Sequence, residues 1–151
     1  MKLEPKDLLS LEEYDSKRDS IKKELISHKK NRTINIGDNI VLIFEDYMTI
    51  KYQVQEMLRI EKIFNKKEIQ EEIDAYNPLI PDGTNLKATM LIMFPDVEVR
   101  REMLFKLHDI ENKVWLSSGD KKIIAYADED LDRSTDCLLY TSPSPRDHQP
   151  S

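Results

Sequence analysis

The hydrophobic positions recur at helical spacing at the start of the chain and fall into short extended runs soon after. Leu11, Tyr14, Ile21 and Leu25 form one stripe, with Arg18 and His28 on the same line, and this spacing predicts a helix reaching about Lys29. Ser10-Leu-Glu-Glu13 supplies a capping box for it, with Leu9 and Tyr14 placed as a hydrophobic staple. Residues 33–36 and 40–45 read as two strands joined across Gly37-Asp38-Asn39, a turn whose residues tolerate positive φ. Residues 47–64 carry two patterns at once. Met48, Ile50, Tyr52 and Val54 alternate as in a strand; Ile50, Val54, Met57, Leu58 and Phe64 step as in a helix, and length favours the helix from Lys51 onward. Asp46 or Thr49 is placed to cap it, and Glu61 falls on its apolar stripe, where a buried carboxylate needs a partner or a shifted pKa.

Asn65 caps a further helix with Ile69, Ile73 and Tyr76 inward, and Asn77-Pro78 stops it. The loop "NPLIPDGTN" leads into "LKATMLIMF", a strand apolar on both faces towards its end and therefore expected at the centre of the sheet. Pro95-Asp96 opens a helix over residues 97–109 with Val99, Met103, Leu104 and Leu107 inward; residues 113–117 and 121–127 then pair across Ser118-Gly119-Asp120. This order predicts an α+β fold: a single domain over residues 1–136, with a mainly antiparallel sheet of about five strands packed by about four helices. The alternation of strand and helix in the middle leaves a mixed sheet open.

The closing stretch, "CLLYTSPSPRDHQPS", reads unlike everything before it. It holds the only cysteine, three of the seven prolines and one of the three histidines. Its reverse translation resembles a transposase adapter of sequencing libraries, so residues 137–151 are expected to be a non-native, disordered tail and the domain before it to be truncated at its C-terminus. A native Pro/Ser-rich tail is the alternative that composition allows.

Charge and composition then narrow the function. The chain carries 23 basic against 29 acidic residues, a net charge of −6, which argues against nucleic-acid binding. Without Cys137 no thiolate catalysis or cysteine-ligated zinc remains. Three glycines leave little room for a phosphate-binding loop. No run approaches the roughly 20 apolar residues of a membrane span, and the start has no signal core, so a cytoplasmic protein is expected, with no membrane partner. No nucleophile elbow and no paired-histidine spacing occurs, and no cofactor is evident.

Four groupings invite a chemical reading. Lys29, Lys30 and Arg32 either complement a helix dipole or form a phosphate or nucleic-acid patch, the latter together with Lys22 and Lys23. His108-Asp109 near Glu111 offers metal ligands or, as a lone histidine at a helix end, structure. Asp128, Glu129, Asp130 and Asp132 either start a solvated helix or bind a divalent cation. The fullest grouping is Glu56, Arg59, Glu61, Glu72, Tyr76, Asn77 and Asp82, where Glu56 and Arg59 are spaced to pair along one helix. It is either a polar pocket, with Arg59 on an anionic ligand and Glu61 or Glu72 in acid–base work, or an ion-pair network that fixes two helices.

The segments "LSLEEY", "QEMLRIEKIF", "EEIDAYNPLIPDGTNLKATMLIMFPD" and "VWL…IIAYADEDLDR" together resemble the bacterial domain-of-unknown-function family 3501, over about residues 8–133. The resemblance implies no assigned activity. It implies a longer chain, and a redox or oxidative-stress setting in which a rubrerythrin-like or iron–sulfur protein is the partner. The family's recurrent polar positions fall on the same seven residues. The function expected is a non-catalytic accessory or interaction module; the alternative is a ligand-binding protein or enzyme using the Arg/Glu pocket.

Overall fold

The structure, a computed structural model, describes residues 1–127; the acidic run from Asp128 and the tail lie outside the described residues. The elements are α1 (Leu11–Lys30), β1 (Thr33–Ile36), β2 (Ile40–Phe44), α2 (Tyr47–Glu61), α3 (Lys66–Tyr76), β3 (Ala88–Ile92), α4 (Val97–Lys106), β4 (Trp115–Ser118) and β5 (Lys121–Ile124). Among the described residues four α-helices and five strands give the α+β class expected, but these strands form two sheets: a three-stranded one, ordered β1-β2-β3, and the antiparallel ribbon β4-β5.

The described residues divide into two compact units, one over Met1–Met90 and one that begins at Leu91. In the first, α2 packs against both α1 and α3. Ile50, Val54, Met57 and Leu58 of α2 meet Ile73 and Tyr76 of α3, with Leu3 and Ile80 closing the core. Residues 47–54 are therefore helix. Asp46 and Thr49 settle the matter locally: the Asp46 carboxylate accepts from the Thr49 N–H at 3.0 Å, and the Thr49 hydroxyl accepts from the Asp46 N–H at 2.9 Å. Ser10, Asn65 and Asp96 cap α1, α3 and α4 as their positions predict. At Ser10 the hydroxyl accepts from the Glu13 N–H and donates to the Glu13 carboxylate.

Three expectations are corrected. β2, not β3, is central in the three-stranded sheet. The apolar end of β3 is buried all the same: Ile92 and, just beyond it, Phe94 are buried residues of the second unit, as is Leu104 of α4. Val99 is exposed rather than inward. Phe64 is 80% exposed, because α2 stops before reaching it. Lys62 takes a left-handed conformation, φ 55°, and the Ile63 N–H bonds back to the Leu58 carbonyl at 2.9 Å. Ile63 thereby folds onto the core in a Schellman-type ending. A lysine at positive φ costs what a glycine would not, so Lys62→Gly is expected to raise stability by about 0.5–1 kcal/mol, read as a higher urea midpoint.

Candidate functional site

Of the two buried glutamates of the first unit, Glu56 and Glu72, the more deeply buried is Glu56, on α2 and 2% exposed. Its Oε2 accepts from the Tyr14 hydroxyl at 2.6 Å and from Arg18 Nε at 2.9 Å; its Oε1 accepts from Arg18 Nη2 at 2.9 Å. The guanidinium grips both oxygens in the two-pronged geometry that makes arginine–carboxylate pairs strong. Both donors come from α1, four residues apart and so on one face. Burial alone would raise the Glu56 pKa, but the hydrogen bonds from Arg18 and Tyr14 and the charges of Arg18 and Arg59 outweigh it and hold the group below the usual carboxylate range. Tyr14 moves the other way: burial, then its bond to Glu56 and the charge there, push its hydroxyl well above the ordinary tyrosine value.

A second polar group ties the end of α1 to the start of α2. His28 Nε2 lies 2.6 Å from Asp46 Oδ2, and Arg32 Nη1 lies 3.5 Å from the same oxygen. Arg32 also donates to the carbonyls of Phe44, at 2.8 Å, and Glu45, at 3.3 Å. The Arg32 guanidinium is thus engaged inside the fold rather than offered with Lys29 and Lys30 as a surface patch. Burial raises the Asp46 pKa, but the Thr49 N–H, His28 and the Arg32 charge outweigh it and lower the net value. Glu45 joins the sheet to this corner, its carboxylate accepting from Thr49 Oγ1 at 2.5 Å and Thr89 Oγ1 at 3.0 Å.

These shifts set the pH dependence of folding. Glu56 and Asp46 have depressed folded pKa values, so their contribution is present above about pH 4.5, where the unfolded carboxylates are ionised, and is lost as pH falls through the folded values. Tyr14 is raised, so its contribution is present below about pH 10 and is lost as pH rises beyond it. Stability is expected to plateau between these limits. Urea midpoints measured against pH should show a flatter acid limb for Glu56→Gln and a flatter alkaline limb for Tyr14→Phe; limbs parallel to wild type would contradict these assignments.

The other residues singled out from sequence occupy separate settings. Arg59 is more than a third exposed, with its Nε 3.7 Å from Asp15 Oδ1. Glu61 is exposed at the end of α2 rather than buried. It sits at the middle of the apolar stripe by period, but the helix has run past the core there and Ile63 returns to fill the position. Glu72 and Tyr76 are buried on α3. Asn77 clasps the chain near its start: its Oδ1 accepts from the Leu3 N–H at 2.8 Å, and its Nδ2 donates to the Leu3 carbonyl at 3.0 Å. Gln55, which sequence reading did not single out, does the same to Leu9, at 2.7 and 3.3 Å. Asp82 is exposed and shapes its own loop by accepting from the Thr84 N–H at 2.9 Å and hydroxyl at 2.6 Å, contacts that lower its pKa. Of the seven, Glu56 is bound by Tyr14 and Arg18 and feels the charge of Arg59, and the two donors were not among the seven. The available signal was Arg18 itself, a charge on the apolar line of α1. Among the described residues no three histidine, cysteine, aspartate or glutamate side chains gather as a metal site, and His108 is exposed. No described helix is long and apolar enough to cross a membrane.

An α+β chain with two helices locked by a buried Tyr–Arg–Glu cluster is the class of protein that fold and site define. The chain matches the family described as protein of unknown function (DUF3501) over residues 2–142, and it belongs to that family. It is also similar to a crystal structure from Burkholderia pseudomallei K96243, described as a novel protein of unknown function. The two share 45% identity and superpose with a TM-score of 0.86 over 94% of this chain and 74% of that one. No curated protein matches.

Proposed function

We propose that the protein is a non-catalytic accessory or interaction module of the cytoplasm, with no cofactor of its own. The observation that best supports this is how the buried charge is used. Both oxygens of Glu56 take hydrogen bonds from Tyr14 and Arg18, so the most deeply buried carboxylate holds α1 to α2. A general acid or base is most effective with a pKa near the working pH, and Glu56 is driven away from it. Asn77 and Asp82 likewise use their side chains on the backbone and on Thr84. The partner proposed is a rubrerythrin-like or iron–sulfur redox protein, a choice carried by the family resemblance alone. The test combines metal analysis and absorbance of the purified full chain with a pulldown from the native host. A colourless, metal-free protein that recovers a redox protein is expected. Stoichiometric metal or chromophore would overturn the reading in favour of a ligand-binding protein or enzyme built on Arg59 with Glu56, Glu61 and Glu72.

A further inference from the structure

The ribbon β4-β5 carries large apolar residues on both faces. Its register pairs Trp115 with Ile124 and Leu116 with Ile123, and cross-strand partners share a face. Trp115 and Ile124 therefore lie on one face with Ser117 and Lys122, while Leu116 and Ile123 lie on the other with Ser118 and Lys121. Trp115 is 54% exposed and Leu116 49%, and Ile123 and Ile124 are each 56% exposed. A two-stranded ribbon with both faces in water is marginal alone. Among the described residues neither strand pairs with a second neighbour, which leaves each with one edge that no described strand covers.

Charge decides what pairs there. Residues 113–127 carry Lys113, Lys121 and Lys122 against Asp120, three minus one, or +2 within a chain of −6. Lys122 Nζ sits 3.9 Å from the centroid of the Trp115 ring, which places that charge on the apolar face. Lysines on an edge strand guard against pairing with a second copy. Acidic side chains on a neighbouring strand are attracted to them. A strand added to a sheet edge gains main-chain hydrogen bonds, and its alternate side chains supply specificity. We infer that β4-β5 is a docking edge for an extended, acidic segment of a partner protein, with acidic and apolar residues alternating, added beside β5. This rests on the interaction-module reading and specifies its surface.

Trp115 is the only tryptophan in the chain, so its emission reports this ribbon without labelling. The full chain is titrated with a short peptide alternating glutamate and valine, and separately with one alternating lysine and valine. The glutamate peptide is expected to give a saturable blue shift, weakened several-fold by high salt. The shift should weaken about tenfold when Lys121→Glu and Lys122→Glu are combined, and by less for the two Lys→Gln changes. The lysine peptide should give none. Silence towards the glutamate peptide, or equal response to both, overturns the inference. So does a shift that grows with protein concentration alone, which assigns the edge to a second copy. So does Trp115 emission already blue and shielded from iodide, which assigns it to other residues of the chain. The module reading is tested apart: a partner recovered equally by wild type and the charge-reversed chain leaves that reading standing and removes only this one.

Discussion

Replacing Glu56 with alanine is expected to cost about 3 kcal/mol of stability, seen as a large fall in the urea midpoint with an unchanged slope. The size follows from what is left behind. The Tyr14 hydroxyl is fully buried and loses its acceptor, which costs about 1–3 kcal/mol for a neutral group. The Arg18 side chain is 21% exposed, so water relieves part of its unpaired charge, and the total falls at the low end of the range for breaking a buried pair. Glu56→Gln keeps shape and one acceptor and should cost less. The combined change Tyr14→Phe, Arg18→Met and Glu56→Leu removes every member of the network and should recover most of the loss, because no polar group is then stranded. Arg59→Ala provides the contrast: its partner Asp15 is 3.7 Å away and 74% exposed, and the change should stay within about 0.5 kcal/mol. A Glu56→Ala loss no larger than that of Arg59→Ala would show that the network does not hold α1 to α2.

That network also marks where sequence stops informing. Caps are local: Ser10, Asp46, Asn65 and Asp96 each bond a backbone group two or three residues on, so their positions alone betray them. The α+β order was legible for the same reason, since each element carries its own period and stops. Partnership across elements was not. Arg18 stands out on the stripe of α1, but its partner is 38 residues away, and Arg59, three residues from Glu56, offered a nearer candidate. Glu61 was misread because a period gives direction around a helix and not distance along it; the stripe continues through Glu61 after the core has ended. β3 was misplaced because apolarity on both faces reports burial without saying against what. The two side-chain amides had no signature at all, since Gln55 and Asn77 bond main chain that any sequence would supply.

Those amides lead to the second large effect. Leu3→Ala is expected to cost about 2–4 kcal/mol, since Leu3 is 2% exposed and closes the core beside Ile73, Tyr76 and Ile80. Asn77→Ala should cost about 1–2 kcal/mol by leaving the Leu3 N–H and carbonyl without their partner. The two changes should not add. The Asn77 clasp holds Leu3 in register, and the Leu3 side chain holds the backbone where the clasp can reach it, so the double variant should cost less than the sum of the singles. Hydrogen exchange separates this from general loosening. In Asn77→Ala the Leu3 amide should lose protection while the Leu9 amide, held at 2.7 Å by Gln55, keeps it; Gln55→Ala should reverse the pattern. Equal loss at both amides in either variant would mean that residues 3–9 are held as one piece by packing and that the clasps merely follow. Local loss, one clasp at a time, would mean that two side-chain amides thread the start of the chain onto α2 and α3 as short substitutes for a strand.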